Sequence, residues 1–511
     1  MRPPVGRNIA LGALVVSLMA VAAAIRGFEY DEAYLHFYVA GLAKLAWPIE
    51  PLPVGILRGW IEGQTAGFGR IASDLVELEH HPPLHFWIMA LWREVFGPGH
   101  LVARVFSVLC TAGALALVPI LARVARVPPL PALACTAFAY AVFYPGTLAR
   151  AYALALLLTL AGSLALALLL REMQEERPRQ RLDGGWLAFA AGLAFGLAGF
   201  SHYLAMLTAT ALLCSFAASA LWRRRPLPVL FTGLGLLPPF VAVLAVRADQ
   251  GSAEWFHPNF EPARDLVRLV EVQAAALFAR TPVLFDEPWR ALLALAIAPC
   301  LLLVGLALLA ASRRLLTDPV RRMLLAGALA MPVGLVVLGA LTDRAPFVSR
   351  YFSYGIPFVA LCFAAGLGEI ARARPRLAGV MLGYVLFWQV VGAGSQVVWP
   401  ATQQEFRGIV AAASRHWEPG ASVLAVPIGY DGIGKNAPYL WEAPDDWPMA
   451  VVNEHNPAGE FLARLGSARR ILLVTFVEVS GELAVEALHA ALPAAGWRLQ
   501  STEPHLEVWT R

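Results

Sequence analysis

A chain of 511 residues that is 58% hydrophobic and 15% charged, with a mean hydropathy of +0.61, is too apolar to fold around one water-soluble core. Its net charge of +4 rests almost wholly on arginine, since lysine occurs only at Lys44 and Lys435, and this leaves no basic stripe for nucleic acid. The five cysteines, Cys110, Cys135, Cys214, Cys300 and Cys362, all fall inside apolar runs and make neither a disulfide framework nor a zinc site.

Apolar stretches of spanning length predict membrane helices near 8–26, 101–122, 130–147, 151–170 and 186–201, then near 203–222, 228–246, 291–311, 323–341, 351–371 and 377–399, about eleven in all. The first follows Arg2 and Arg7 and contains Val21-Ala22-Ala23-Ala24, features also found in secretion signals. Its length approaches that of a full crossing, so it is read as a retained span. Arginine collects in every second loop: Arg123 and Arg126; Arg171, Arg177, Arg179 and Arg181; Arg223 to Arg225; Arg313, Arg314, Arg321 and Arg322; Arg372, Arg374 and Arg376. Placing those loops in the cytoplasm satisfies the positive-inside rule, with the N-terminus inside and everything after residue 400 outside.

Counting Leu84 to Phe96 as a crossing would invert every later loop. It is short, and Leu84, Trp87, Ile88, Leu91 and Val95 recur at helical spacing, as expected of a helix lying in the outer interface. Residues 27–100 then form one long external loop within a membrane domain at 1–399. A second external loop, 247–290, carries Trp255, His257, Arg264, Arg268, Asp286 and Glu287 and suits the wall of a substrate funnel. From residue 400 to 511 the pattern becomes that of a soluble α/β domain, with helices at Gln403–Trp417 and Glu482–Leu492 and strands at Ser422–Pro427, Arg470–Val477 and His505–Thr510. It holds no Gly-rich phosphate loop and is read as an acceptor-binding or structural cap.

Asp31 and Glu32 follow the first span, and His80-His81-Pro82-Pro83-Leu84 precedes the second. Outside the cytoplasmic membrane there is no ATP or nucleotide sugar, so group transfer there needs a donor activated in lipid, such as a polyprenyl-phosphate sugar. Such transfer needs a carboxylate to take the acceptor proton and cations to stabilise the leaving phosphate. Asp31 is the candidate base; the alternative is that it caps a helix beginning near Ala33. Glu32 is expected to orient a neighbour or contact sugar hydroxyls. His80 and His81 are candidates to bind the donor phosphate or align the base, against a plain surface role. With Glu79 they would make only a loose metal cluster, so no metal and no cofactor is assigned.

Arg150 and Tyr152 at the outer end of one span are candidate phosphate contacts, with snorkelling as the alternative for the arginine. His202 and Tyr203 lie in a tight external turn, where Tyr203 also fits an aromatic belt. Arg350 and Tyr351, followed by Tyr354 and Pro357, open a late span on the same side and are candidates to close the donor pocket, with Arg350 as a donor contact.

The order Tyr30-Asp31-Glu32, His81-Pro82-Pro83-Leu84 with Trp87, Phe96-Gly97 and Arg104, then Arg150-Ala151-Tyr152 and Arg350-Tyr351 with Pro357, resembles the C-type glycosyltransferases. Within them it is similar to the protein mannosyltransferase and aminoarabinose transferase group of bacterial membrane enzymes. The resemblance covers about residues 25–360. It implies a multi-pass protein of the cytoplasmic membrane that moves a sugar, with inversion, from a polyprenyl-phosphate donor to an envelope glycan, lipid or protein on the external face, with Asp31 near the reacting centre. Where the aminoarabinose transferases carry Glu-Lys-Pro this chain has His80-His81-Pro82, so His81 stands where a phosphate-binding lysine would be. The acidic residue those enzymes place after the third span has no equivalent around Arg150. The competing classes are a transporter or flippase, against which ionisable residues gather at span ends and no inverted repeat is evident, and a non-catalytic envelope scaffold.

Overall fold

The computed structural model describes residues 5–78, 81–175, 181–249, 259–279, 289–344, 346–398, 406–428, 437–453, 456–476 and 479–511. The chain forms two compact units: Met1–Ala24, Glu79–His85 and Arg104–Val398 in the first, and Ile25–Leu78, Phe86–Ala103 and Trp399–Arg511 in the second. Most of the first loop, expected to be part of the membrane domain, thus groups with the C-terminal residues.

The first unit is helical. Among the described residues, ten helices are long and apolar enough to cross a membrane, from Gly6–Ile25 and His100–Val124 to Ile356–Ala373 and Pro375–Val397. The expected span at 130–147 is not one of them. It breaks into a helix at Pro129–Ala137, a single turn at Tyr140–Phe143 and a 3₁₀ turn at Pro145–Thr147. Ala139 is extended (φ −65°, ψ 131°), and Pro145 lacks the N–H that a continuing helix would use. The break releases the Cys135 carbonyl, which accepts a hydrogen bond from Nε2 of buried Gln389 at 3.1 Å.

Small residues let these helices approach closely, since lipid gives apolar side chains no reason to gather. A Cβ at Gly192 would come within 1.9 Å of the Thr232 carbonyl oxygen, and one at Gly235 within 2.0 Å of that of Phe189. The helices Arg181–Ser201 and Pro226–Asp249 therefore pack backbone against backbone. Fully buried Arg104 donates from Nη1 to the Ala23 carbonyl at 2.7 Å, placing a cation at the C-terminal end of the helix Val5–Ile25, where the backbone dipole favours one. In the second predicted loop Trp255, His257, Asp286 and Glu287 lie outside the described residues. Its middle is a helix, Pro262–Phe278, opened by proline, with Arg264 Nη1 donating to Glu261 at 2.8 Å.

The second unit is built on a six-stranded sheet: β1 (Leu52–Pro53), β2 (Ser422–Pro427), β3 (Pro448–Val452), β4 (Arg470–Val474), β5 (Arg498–Glu503) and β6 (Leu506–Thr510), in the order β1-β3-β2-β4-β6-β5. β2 runs parallel to β3 and β4, and the other pairs are antiparallel. Alternation along β2 sends Val423 and Ala425 to one face and Leu424 and Val426 to the other, and both faces are buried. The helices Ala458–Arg464 and Val479–Ala494 supply Phe461, Leu488 and Leu492 to the first face. Phe406, Ile409 and Ala413 join Phe28, Phe37, Trp47, Val54, Leu57 and Ile61 from the loop on the second. The loop is half of a core, which is why it groups with residues far along the chain. The expected helix at Leu84–Phe96 forms with those bounds.

Candidate active site

The predicted site residues fall in both units. In the first, the 3₁₀ turn Pro145–Thr147 packs where a Cβ on Gly146 would meet Thr111 Oγ1 at 2.8 Å, and the chain then turns through Leu148–Arg150 into the helix Tyr152–Glu175. Arg150 is buried there, and its Nη2 donates to Nε2 of His81 at 3.3 Å; a guanidinium only donates, so that imidazole nitrogen acts as acceptor. His202, just past the helix Arg181–Ser201, is also buried. Its ring centroid lies 4.9 Å from that of Tyr152, 5.6 Å from His81, 5.8 Å from Tyr351 and 5.5 Å from Tyr354. The 3₁₀ turn Ser349–Tyr354 brings in Tyr351, Tyr354 and Arg350, whose guanidinium carbon stands 5.9 Å from the centre of the Tyr152 ring.

His81, Arg150, Tyr152, His202, Arg350 and Tyr351 are therefore neighbours, as Tyr354 is. Tyr203 is half-buried in the adjoining turn, its carbonyl accepting the Met206 N–H. His80 and Glu79 lie outside the described residues. The cluster also includes His85, four residues beyond His81, which the sequence pattern does not single out. It is fully buried, and burial, then the charge of Arg150, push its imidazole down to about 3. His202 is likewise held well below the ordinary imidazole value, first by burial and then by the fields of the Arg150 and Arg350 guanidiniums. Burial, reinforced by Tyr152 and Tyr351, raises the Tyr354 phenol well above its usual value, so it stays a donor. Neutral rings beside two guanidiniums make a pocket chemistry complementary to an anion.

These shifts fix a pH dependence. Both histidines are uncharged in the folded state near neutral pH, whereas in the unfolded chain they take up protons below about 6.5. Folded stability is therefore expected to fall as pH drops from about 6.5 toward about 3, by at most about 1.4 kcal/mol per pH unit for each histidine. Thermal unfolding in detergent at pH 7.5 and 5.5 checks this: the wild type loses melting temperature on acidification and His202→Phe loses less. A variant as acid-sensitive as the wild type would contradict it.

In the second unit the helix Tyr30–Ala40 starts from Glu29, whose N–H donates to Glu32 Oε2 at 3.2 Å in a capping box. Arg26 lies 3.9 Å from Glu29 and 3.8 Å from Glu32, all three buried. Glu29, with Glu32, therefore caps this helix, and Asp31, 4% exposed at its second position, is not the cap. No cluster able to hold a metal occurs among the described residues.

Residues 80–245 match the model of the dolichyl-phosphate-mannose-protein mannosyltransferase family. The fold is shared with ArnT from Cupriavidus metallidurans: with the apo state at 14% identity over 98% of this chain and 97% of that one (TM-score 0.52), and with the undecaprenyl phosphate complex at 14% over 99% and 98% (TM-score 0.53). The oligosaccharyltransferase from Archaeoglobus fulgidus matches at 10% identity over 91% of this chain and 69% of that one, with a TM-score of 0.44. No curated protein sequence matches significantly.

Proposed function

We propose that this protein is an inverting glycosyltransferase that takes a sugar from a polyprenyl-phosphate donor. The observation that carries this reading is the first unit's cluster, where Arg150 and Arg350 stand among neutral imidazoles and phenols and where Nδ1 of buried His202 has no hydrogen-bond partner among the described residues. A phosphate would offer those guanidiniums and the His202 ring negative charge and acceptor oxygens. The undecaprenyl phosphate of the ArnT complex supports the same donor class here.

In the proposed reaction an acceptor hydroxyl attacks the anomeric carbon, and its proton passes to the Asp31 carboxylate. The bond from that carbon to the phosphate oxygen breaks with its electron pair, and polyprenyl phosphate leaves as an anion. Arg150, Arg350 and His81 stabilise the growing phosphate charge, with Tyr152, His202 and Tyr351 shaping the site, while Glu32 orients the Asp31 helix. Transfer in reconstituted membranes, with a panel of polyprenyl-phosphate sugars offered to purified protein, tests the reading. Turnover of at least one donor is expected, and turnover of none would sink it.

The acceptor is an envelope glycan, lipid or protein on the external face of the cytoplasmic membrane. The N-terminus is then cytoplasmic and the C-terminal α/β region external, with residues 129–147 crossing as broken pieces. The burial of every residue from 139 to 156 supports such a crossing, because non-helical backbone survives at membrane depth only inside protein. Reporters fused near Gly63 and after Arg511 are both expected to register outside; a cytoplasmic signal at either breaks this topology.

A further inference from the structure

We infer that Glu442, with Trp441 and Arg407, positions the Asp31 helix, so that the C-terminal region sets the geometry of the catalytic base; this rests on the role proposed above for Asp31. The chain entering that helix is gripped at several points within the second unit. The Phe28 ring stacks on Trp441 with centroids 4.4 Å apart and planes 2° from parallel. The Phe28 N–H donates to Glu442 Oε1. Arg407 donates from Nε to Glu442 Oε2 at 2.9 Å and from Nη1 to the Ile25 carbonyl at 2.6 Å. Glu442 is half-buried, with 7% of its side chain exposed.

Trp441 also reaches the loop beyond Asp31. Its Nε1 donates to Glu62 Oε1 at 3.1 Å, and its ring lies 5.3 Å from His36 and 6.3 Å from Phe37 on the Asp31 helix itself. The start of that helix is thus held from outside by a carboxylate and an indole, and from inside by the Glu29–Glu32 capping box and Arg26. Surface decoration does not explain this arrangement: one carboxylate accepts from a backbone N–H and from a guanidinium, and the same guanidinium takes a backbone carbonyl on the other side. A base is effective only when its oxygen is held within hydrogen-bond reach of the proton it takes, so a shift of about 1 Å is enough to cost about 10²-fold in rate.

The test uses the full-length protein in reconstituted membranes with the donor found by the panel. Glu442→Ala is expected to lower kcat by about 10- to 100-fold with KM for the donor little changed. Glu442→Gln, which keeps an acceptor for the Phe28 N–H, is expected to recover most of that rate. Combined with Asp31→Asn, Glu442→Ala is expected to cost almost nothing further, because the group it positions is gone. Hydrogen exchange at residues 28–33 is expected to quicken in Glu442→Ala with the sheet unchanged. If that variant fails to fold, Arg407→Gln, which frees the Ile25 carbonyl, takes its place with the same expectations. The proposal is overturned if the loss lies in KM, if it persists at full size beside Asp31→Asn, or if exchange at 28–33 is unaltered. A fully active Asp31→Asn would remove the base assignment itself, whereas an inactive Asp31→Asn beside a wild-type Glu442→Ala would remove only the positioning.

Discussion

Asp31→Asn is expected to lower transfer by about 10²- to 10⁴-fold, the usual worth of a general base, at unchanged abundance and donor KM. The substitution keeps size and one acceptor oxygen but removes the ability to take a proton. It leaves in place the Glu29–Glu32 capping box and the contacts of Arg26 with Glu29 and Glu32. Glu32→Gln makes the contrast: weakening the cap and the ion pair, it is expected to cost about 1 kcal/mol of stability with a smaller effect on rate. Measurement is initial-rate transfer in proteoliposomes at matched protein. An Asp31→Asn enzyme as fast as the wild type would leave the scaffold reading standing and the enzymatic one without its base.

Removing Arg150 is the second large effect. Arg150→Ala is expected to cost about 10²- to 10³-fold in kcat/KM, the scale of losing one charged donor from a water-poor site, and to remove the donor that bonds His81 Nε2. Arg150→Lys returns the charge without the planar fork, so partial recovery is expected. Arg350→Ala removes the cation over Tyr152 and is expected to act in the same direction. If both arginines hold the leaving phosphate, the double variant falls short of the product of the single losses, because one leaving group is shared. Steady-state kinetics with a short-chain donor reads all of these. Wild-type kcat/KM in Arg150→Ala would sink the phosphate assignment and leave the snorkelling alternative.

Ten of the spans were legible because a long apolar run is a local property: only an intact helix satisfies such a backbone in lipid. The same local logic predicts one unbroken helix over 130–147, where the structure has three pieces. Composition there suits a crossing, but whether a helix stays whole depends on groups that reward a break, and Gln389, far along the chain, takes the carbonyl released at Cys135. Arg150, His202 and Tyr351 were visible as polar residues at span ends. His85 was not, because nothing in an amphipathic pattern shows that its polar side would be buried near a cation.

The sequence by itself determined the helical membrane class, the strands β2, β4 and β6 and the chemical types at the candidate site, since hydropathy, alternation and side-chain chemistry are written residue by residue. Tertiary structure alone decided that β1, a strand of two residues, pairs with β3, and that Phe28 stacks on Trp441. It also decided that the Asp31 loop forms one face of the C-terminal core. Those contacts join segments hundreds of residues apart, and no local period encodes them; burying apolar surface across both segments offsets the entropy of closing so long a loop.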